Sequence, residues 1–205
     1  MTAQLPGPQF GLSIGLFGGS FNPAHDGHLH LAQTAMDRLG LDWVWWIVAR
    51  GNPLKQDHGD YIQRFASVQN LIGHHPRMRA SSIEVQLGYS YTIDTLGWLM
   101  NRCPSARFVW LMGGDNLHGF VRWKDWRKIT ESVPIAIVSR RSDAVSPIAR
   151  STVFSKRFGA ARVSDDDARS LPFRSAPSWT YLPAPLNPAS STRIRQSSQN
   201  LDDDD

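Results

Sequence analysis

The sequence has little cysteine and no long apolar run. Its single cysteine, Cys103, allows neither an intramolecular disulfide nor a cysteine-rich zinc cage, so we expect a fold held by packing in a reducing compartment. No run of about 18 uncharged apolar residues occurs. Residues 1–10 carry neither the basic segment nor the apolar segment of a secretory signal. These absences argue against membrane insertion and secretion, and the expected location is the cytoplasm.

The length and the apolar content of the chain suffice for a buried core. The chain has 205 residues, of which 41% are apolar, and a chain of this size typically forms one domain. We expect a single domain over residues 1–195. Residues 196–205 are polar, end in four aspartates and are expected to form a disordered tail.

Charge is distributed unevenly along the chain. Residues 1–120 hold 8 basic and 8 acidic residues, whereas residues 121–195 hold 14 basic and 6 acidic residues, a net charge of +8. That excess suits a nucleic acid, a phosphate-rich small molecule or an ordinary solvated surface. The basic residues show no clear stripe with interleaved aromatic residues, so a nucleic-acid partner is not favoured.

Apolar runs alternate with helical patterns along most of the chain. Strands are predicted at residues 12–17, 43–49, 78–85, 107–112, 134–139 and 179–182. Helices are predicted at residues 27–39, 61–73 and 91–101, while residues 142–177 show no sustained period and are expected to be irregular, with short helices at most. The alternation indicates an α/β fold with a doubly wound, mainly parallel sheet. In such sheets ligands bind beyond the carboxyl ends of the strands.

The most informative segment, residues 18–28, follows the first predicted strand. It lacks the Gly-Lys-Ser/Thr ending of a P-loop and the glycine spacing of a dinucleotide fingerprint. Gly18 and Gly19 nevertheless let backbone amides approach a ligand closely, and the following helix directs its free amides and its positive dipole end at an anion. We therefore expect a phosphate group at this helix start.

His25 and His28 flank that helix start and leave three interpretations open. Zinc ligation would need a third ligand, and the sequence offers no convincing one. Helix capping or core packing is a purely structural alternative. The third interpretation, imidazole donors directed at a phosphorus centre, is favoured because such donors stabilise the charge that develops during phosphoryl or nucleotidyl transfer.

Residues 19–28 read Gly-Ser-Phe-Asn-Pro-Ala-His-Asp-Gly-His and resemble the signature of the nucleotidyltransferase superfamily with its (His/Thr)-x-Gly-His motif. Within that superfamily the chain resembles the bacterial nicotinate-nucleotide adenylyltransferases, which make deamido-NAD from ATP and nicotinate mononucleotide. Further blocks occur in the family's order at residues 52–55, 90–96, 113–126 and 190–195. The resemblance covers about residues 12–195 and implies a Rossmann-like nucleotidyltransferase fold.

The resemblance implies a role for each block. The residues expected to be catalytic are His25, His28 and Lys55. The residues expected to bind ATP are Gly18, Gly19, Ser20, Phe21, His25, His28, Ser190, Ser191, Thr192 and Arg195. The residues expected to bind the second substrate are Lys55, Thr92, Asp94, Asp115 and Trp123. No side chain is expected to bind a metal directly, and Mg2+ would be bound through the ATP phosphates.

Several of these residues also have an ordinary structural interpretation. Residues 190–192 suit a helix N-cap, Thr92 and Asp94 suit the same role in another helix, Lys55 suits a surface loop, and Trp123 suits the core. The chain also departs from the family pattern. Leu54 stands where many members have histidine, and residues 140–142 read Arg-Arg-Ser where Arg-Pro-Gly is usual.

The implied reaction needs ATP and nicotinate mononucleotide, and neither a nucleic acid nor a membrane. Three alternatives remain. A sibling adenylyltransferase would act on nicotinamide mononucleotide or phosphopantetheine, although residues 92–96 are characteristic of the nicotinate enzymes. A non-catalytic nucleotide-binding module and a nucleic-acid-binding protein are the other two. The sequence does not indicate an oligomeric state.

Overall fold

The computed structural model describes residues 3–51, 59–139 and 152–184 of the chain. Seven strands lie in these ranges and form one sheet. The strands are β1 (Ser13–Gly19), β2 (Trp43–Val48), β3 (Met78–Ser81), β4 (Arg107–Gly113), β5 (Ile135–Val138), β6 (Arg162–Val163) and β7 (Trp179–Leu182).

All strand pairs are parallel, and the strand order is β3-β2-β1-β4-β5-β7-β6. Ile14 of β1 lies beside Trp43 of β2 on one side and beside Phe108 of β4 on the other. The chain therefore winds outward from β1 to β3, returns to the centre at β4, and winds outward again in the other direction. This confirms the predicted doubly wound α/β sheet and puts the reversal of direction between β1 and β4.

Helices cover both faces of the sheet. They are α1 (Asp26–Leu39), α2 (Tyr61–Ile72), α3 (Ile83–Leu87), α4 (Thr92–Arg102), α5 (Leu117–Phe120), α6 (Trp126–Ser132) and α7 (Val153–Arg157), together with short 3-10 helices at Gly114–Asn116, Gly159–Ala161 and Ala168–Phe173. One core cluster packs α1 and α2 on the sheet, and a second packs α3 to α7 on the other face. In the described ranges, no helix is both long and apolar enough to cross a bilayer.

Tryptophan supplies much of the core. Trp45, Trp46, Trp110 and Trp179 are all buried. Trp45 and Trp46 are consecutive in β2, so they point to opposite faces, and each belongs to a different core cluster. A strand covered on both faces has no need of polar alternation, which explains why residues 43–48 are apolar throughout.

The structure differs from the sequence prediction at two places. The strand expected over residues 78–85 ends at Ser81, and residues 83–87 form α3. The Ser81 hydroxyl accepts a hydrogen bond from the N–H of Ile83 at 3.3 Å, which stabilises the turn out of the sheet. The described part of the segment expected to be irregular contains the short strand β6, which was not predicted, besides short helices, namely α7 and two 3-10 helices. Buried side chains such as Phe154 and Leu171 order this segment.

We predict that Gly18→Ala destabilises the fold. A Cβ atom at Gly18 would lie 2.6 Å from Cζ2 of the buried Trp110, so the indole or the strand would have to move. Overpacking of this kind lowers the free energy of unfolding by about 1–3 kcal/mol. Urea unfolding measures the change.

Gly97→Ala is the matched control for that variant. Nothing lies within 4 Å of the Cβ position of Gly97, which is inside α4, so the same substitution should stabilise the protein there. The expected gain is about 0.5–1 kcal/mol because alanine favours the helix. Equal effects of the two substitutions would contradict the close packing of Gly18 on Trp110.

Candidate active site

The candidate site lies where the segments after β1 and β4 leave the sheet. Gly18 and Gly19 end β1, and Gly113 ends β4, with Asp115 two residues later. The two strands are neighbours, but β1 leads into α1 on one face of the sheet while β4 leads into α5 on the other. The segments therefore diverge and open a crevice at the carboxyl ends of the strands.

The loop after β1 is closely packed. A Cβ atom at Gly19 would lie 2.9 Å from the ring of Phe21, so glycine is what lets this ring fold back over the strand end. Phe21 has a φ of 48°, and its buried ring packs 5.3 Å from Phe17 and 5.3 Å from Trp46. This loop brings together four of the expected ATP-binding residues, Gly18, Gly19, Ser20 and Phe21.

His25 and His28 form a reciprocal capping box at the start of α1. Nδ1 of His25 accepts a hydrogen bond from the N–H of Gly27 at 3.1 Å, and Nδ1 of His28 accepts one from the N–H of His25 at 3.3 Å. A ring nitrogen that accepts a hydrogen bond carries no proton, so the proton of each neutral ring is on Nε2. The helix backbone thus fixes the tautomer of both histidines.

The two imidazoles lie side by side at the positive end of α1. Their ring centroids are 3.8 Å apart, and the ring of His28 also packs edge-on against Phe21 at 5.1 Å. The capping interpretation and the phosphate interpretation are compatible, because capping uses Nδ1 and a phosphate would be met by Nε2. Across the described ranges, no three His, Cys, Asp or Glu side chains are grouped as metal ligands.

Arg64 connects the ends of β1 and β2 from behind the loop. It lies in α2 and is 2% exposed. Its Nη1 donates to the carbonyls of Ser20 at 2.7 Å and Ala49 at 2.9 Å, and its Nη2 donates to the carbonyl of Arg50 at 3.3 Å. Burial lowers the pKa of this guanidinium, but arginine stays charged in proteins. No salt bridge to Arg64 occurs among the described residues.

Lys55 falls in residues 52–58, which lie outside the described ranges. Both borders of that segment lie near the β1 loop. On one side, the Arg64 guanidinium donates hydrogen bonds to the carbonyls of both Arg50 and Ser20. On the other side, a Cβ atom at Gly59 would lie 2.8 Å from Oδ1 of Asn22. The expected ATP-binding residues Ser190, Ser191, Thr192 and Arg195 also lie outside the described ranges, as do residues 140–142.

The start of α4 holds Thr92 and Asp94. Tyr91 is the N-cap of this helix, and no side chain makes a capping hydrogen bond there, so the capping interpretation of Thr92 and Asp94 is wrong. Instead, the carboxylate of Asp94 lies 3.5 Å from the ammonium group of Lys124, which in turn lies 4.4 Å from the centre of the Tyr91 ring. The structure therefore joins the start of α4 to the segment that carries Trp123.

Trp123 and Asp115 occupy the region after β4. Trp123 is partly buried, with its ring packed edge-on against Phe120 at 5.4 Å and against Trp110 at 6.2 Å. It is thus a core-facing tryptophan that keeps part of its ring at the surface. Asp115 is exposed, and a side chain at Gly113 would collide with its Oδ1, so glycine allows the carboxylate to lie over the end of β4.

Glu84 is a buried carboxylate near the same edge of the sheet. It lies in α3 and is 5% exposed. Its Oε2 accepts from the N–H of Arg50 at 3.2 Å, and its Oε1 accepts from the hydroxyl of Thr95 at 3.1 Å. Burial raises the pKa of Glu84, while the hydrogen bonds from Arg50 and Thr95 oppose that rise.

Arg64 and Glu84 are not among the site residues expected from the sequence. Arg64 carried a signal, because it is spaced four residues from Val68 and eight from Ile72 on the buried side of α2. A charged residue on such an apolar stripe is expected to be buried with hydrogen-bond partners. Glu84 carried no such signal, because its neighbour Val85 is exposed. The partners of the two residues are backbone carbonyls, a backbone N–H and a threonine hydroxyl of other segments, which no sequence pattern reveals.

We predict that Arg64→Met lowers the free energy of unfolding by about 2–4 kcal/mol, because several buried carbonyls lose their donors. Arg79→Met is the control. The Arg79 side chain also donates to two carbonyls, of His75 and Met78, but it is exposed and water can replace it. Hydrogen exchange should become faster at residues 18–25 and 49–51 in the Arg64 variant alone. Equal losses of stability in both variants would contradict the tethering role.

Three comparisons with known proteins indicate the same family. A family model described as cytidylyltransferase-like matches residues 16–197. A protein of Rhizobium meliloti (strain 1021) named "Probable nicotinate-nucleotide adenylyltransferase" is 45% identical over 185 residues, which are 90% of this chain and 97% of that protein. A protein of Caulobacter sp. (strain K31) with the same name is 46% identical over 186 residues, with the same coverage.

A solved structure shares the fold at low sequence identity. Plasmodium falciparum nicotinic acid mononucleotide adenylyltransferase, in complex with NaAD, has a TM-score of 0.67 at 16% identity and covers 90% of this chain and 83% of its own. The family model matches most of the chain, and the bacterial relatives match it over nearly their whole length. The chain therefore belongs to the cytidylyltransferase-like family and, within it, to the bacterial nicotinate-nucleotide adenylyltransferases.

Proposed function

We propose that the protein transfers the adenylyl group of ATP to nicotinate mononucleotide and forms nicotinate adenine dinucleotide and pyrophosphate, a step of NAD biosynthesis. The capping box of His25 and His28 carries the proposal, because it leaves the proton of each neutral ring on Nε2 in two adjacent imidazoles at the positive end of α1. The names of relatives more than 40% identical supply the identity of the acceptor nucleotide.

The reaction is an in-line displacement without a covalent enzyme intermediate. A phosphate oxygen of nicotinate mononucleotide forms a bond to the α-phosphorus of ATP, and the bond from that phosphorus to the bridging oxygen of pyrophosphate breaks. Pyrophosphate leaves with the electron pair. The protein must bring two mutually repelling anions together and stabilise the charge that develops between them.

The β1 loop and the start of α1 supply the ATP side of the site. His25 and His28 donate from Nε2 to the phosphates, and the backbone of residues 18–21 approaches them closely because Gly18 and Gly19 carry no side chain. Arg64 adds a buried positive charge directly behind this loop. Ser190, Ser191, Thr192 and Arg195 complete the triphosphate site in this proposal, and Lys55 neutralises charge between the two nucleotides.

Mg2+ is proposed to arrive with ATP. The site as described offers mainly nitrogen donors, which suit phosphate oxygens, and Mg2+ prefers phosphate oxygens, carboxylates and water. The metal would then be held by the ATP phosphates and water, and it would neutralise phosphate charge there. No protein side chain is assigned to it.

The acceptor nucleotide is proposed to bind between α4 and the segment after β4. Thr92 and Asp94 begin α4, and the Lys124–Asp94 contact holds this helix start near Trp123. The partly exposed ring of Trp123 offers a flat apolar surface for the pyridine ring. The exposed carboxylate of Asp115 is placed to accept a hydrogen bond from a ribose hydroxyl.

The proposal extends to the whole chain. Residues 1–195 form the catalytic domain, residues 196–205 form an appended tail, and the enzyme works in the cytoplasm without a nucleic-acid or membrane partner. Residues 121–195 have a net charge of +8. Within that charge, Arg195 then binds a small nucleotide, and the other charges lie on the surface.

Two substitutions of His28 separate capping from catalysis. Asn places an acceptor near the position of Nδ1, so His28→Asn should keep the cap of α1 while losing the Nε2 donor. Its turnover should fall about 100-fold or more, with little loss of stability. Gln places a donor near the position of Nε2, so His28→Gln should keep more turnover but lose the cap, at about 1 kcal/mol. Steady-state kinetics and urea unfolding measure both effects.

His74→Ala is the control for these variants, because His74 is exposed at the far end of α2. It should leave turnover unchanged. Turnover in His28→Asn equal to that of the wild type would refute the donor role of Nε2.

Pyrophosphate release from ATP identifies the acceptor. We expect release with nicotinate mononucleotide at a kcat/KM at least about tenfold above that with nicotinamide mononucleotide, and none with phosphopantetheine. Release with phosphopantetheine alone would replace the proposed function by that of a sibling enzyme. No release with any acceptor, together with tight ATP binding, would indicate a non-catalytic nucleotide-binding module.

A further inference from the structure

Glu84 makes hydrogen bonds to two separate segments of the site. Its carboxylate is buried, with one oxygen on the backbone N–H of Arg50 and the other on the side-chain hydroxyl of Thr95. Arg50 follows β2 and precedes the segment that contains Lys55. Thr95 lies in the first turn of α4, next to Asp94. A single side chain thus connects the exit of β2 to the start of α4, which carries Thr92 and Asp94.

From these contacts we propose that Glu84 is a positioning residue for the acceptor mononucleotide. It sets the distance between the exit of β2, which leads to Lys55, and the start of α4, which carries Thr92 and Asp94. The proposal rests on the function proposed above. Glu84 itself is too buried to touch the substrate, and it acts through Arg50 and Thr95.

The contacts at Arg50 make the exit of β2 a fixed point. The Arg50 N–H donates to Glu84, its guanidinium donates to the carbonyl of Gly88 at 2.9 Å, and its carbonyl accepts from Arg64 at 3.3 Å. Gly88 ends α3, the helix that carries Glu84. Arg50 is therefore held to α3 through its backbone and through its side chain.

The contact at Thr95 fixes the start of α4 in the same way. Thr95 is 1% exposed, and its hydroxyl donates to Glu84 while lying 3.5 Å from the carbonyl of Tyr91. The first turn of α4 has no side-chain cap of its own. The Glu84 carboxylate therefore supplies orientation that a capping residue would otherwise give, and a shift of this turn would move Thr92 and Asp94 together.

The ATP side of the site has supports that do not involve Glu84. The β1 loop is held to α2 by Arg64 through Ser20 and by the Ser67 hydroxyl, which accepts from the N–H of Ala24 at 3.1 Å. The capping box holds the start of α1. Loss of the Glu84 carboxylate leaves these contacts in place, so its effect should fall on the acceptor nucleotide more than on ATP.

The test measures pyrophosphate release by Glu84→Ala and by Glu84→Gln, in the assay that is used for the wild-type protein. Glu84→Ala should raise KM for nicotinate mononucleotide about tenfold and leave KM for ATP within about twofold. A glutamine can accept from the Arg50 N–H and donate to the Thr95 hydroxyl, which can also act as an acceptor. Glu84→Gln should therefore keep KM for nicotinate mononucleotide within about threefold of the wild type.

A second pair of variants distinguishes a loss of positioning from a general loss of stability. Thr95→Val removes the hydroxyl that binds Glu84, and Thr180→Val removes an equally buried hydroxyl in β7, which donates to the carbonyl of Val163 at 3.0 Å. The chemical change is the same and both variants keep Glu84. Thr95→Val should raise KM for nicotinate mononucleotide about threefold or more, and Thr180→Val should leave it unchanged.

Several results would overturn the positioning role. These are an unchanged KM for nicotinate mononucleotide in a folded Glu84→Ala protein, an equal rise of KM for ATP, a Glu84→Gln variant as poor as Glu84→Ala, or equal kinetics of the two threonine variants. The proposed function is judged separately on the wild-type protein. If the wild type does not use nicotinate mononucleotide, that function fails; if it does and the variants match it, only the role of Glu84 fails.

Discussion

Two hydrogen bonds between imidazole rings and the backbone at the start of α1 set the arrangement of the site. The first turn of any helix has backbone N–H groups without partners, and here Nδ1 of His25 satisfies one of them while Nδ1 of His28 binds the N–H of His25 itself. The same bonds fix the ring orientation and the position of the proton. These bonds meet a structural need of the helix, and in the function we propose the same two side chains also bind the phosphates.

Buried charges behind the loops make the rest of the site rigid. Carbonyl groups at the ends of β1 and β2 meet the Arg64 guanidinium, and the N–H of Arg50 meets the Glu84 carboxylate. Backbone groups in loops usually bind water and move with it, whereas groups bound to buried charges have no such freedom. The loops at this end of the sheet are thus anchored to it.

The sequence predicted the fold because the order of strands and helices depends on local patterns, and apolar runs indicated the parallel sheet. Residues 18–28 predicted a helix start near Gly27, and α1 begins at Asp26; that this helix start binds an anion stays a prediction. The strand expected over residues 78–85 was wrong in its second half, since a hydrogen bond from Ile83 to the Ser81 hydroxyl turns the chain. Arg64 and Glu84 were missed because their partners are mostly backbone atoms of segments 14 to 44 residues away. The roles of Lys55, Ser190–Thr192 and Arg195 stay predictions, since these residues lie outside the described ranges.

The strands at the two borders of the sheet are short. β3 has four residues and includes the exposed Arg79, and β6 has two residues. A strand from another molecule could form few backbone hydrogen bonds at either border before running past its end, and an arginine side chain would stand in the way at β3. A sheet with seven parallel strands and an apolar interior is thereby protected from growing by addition of strands.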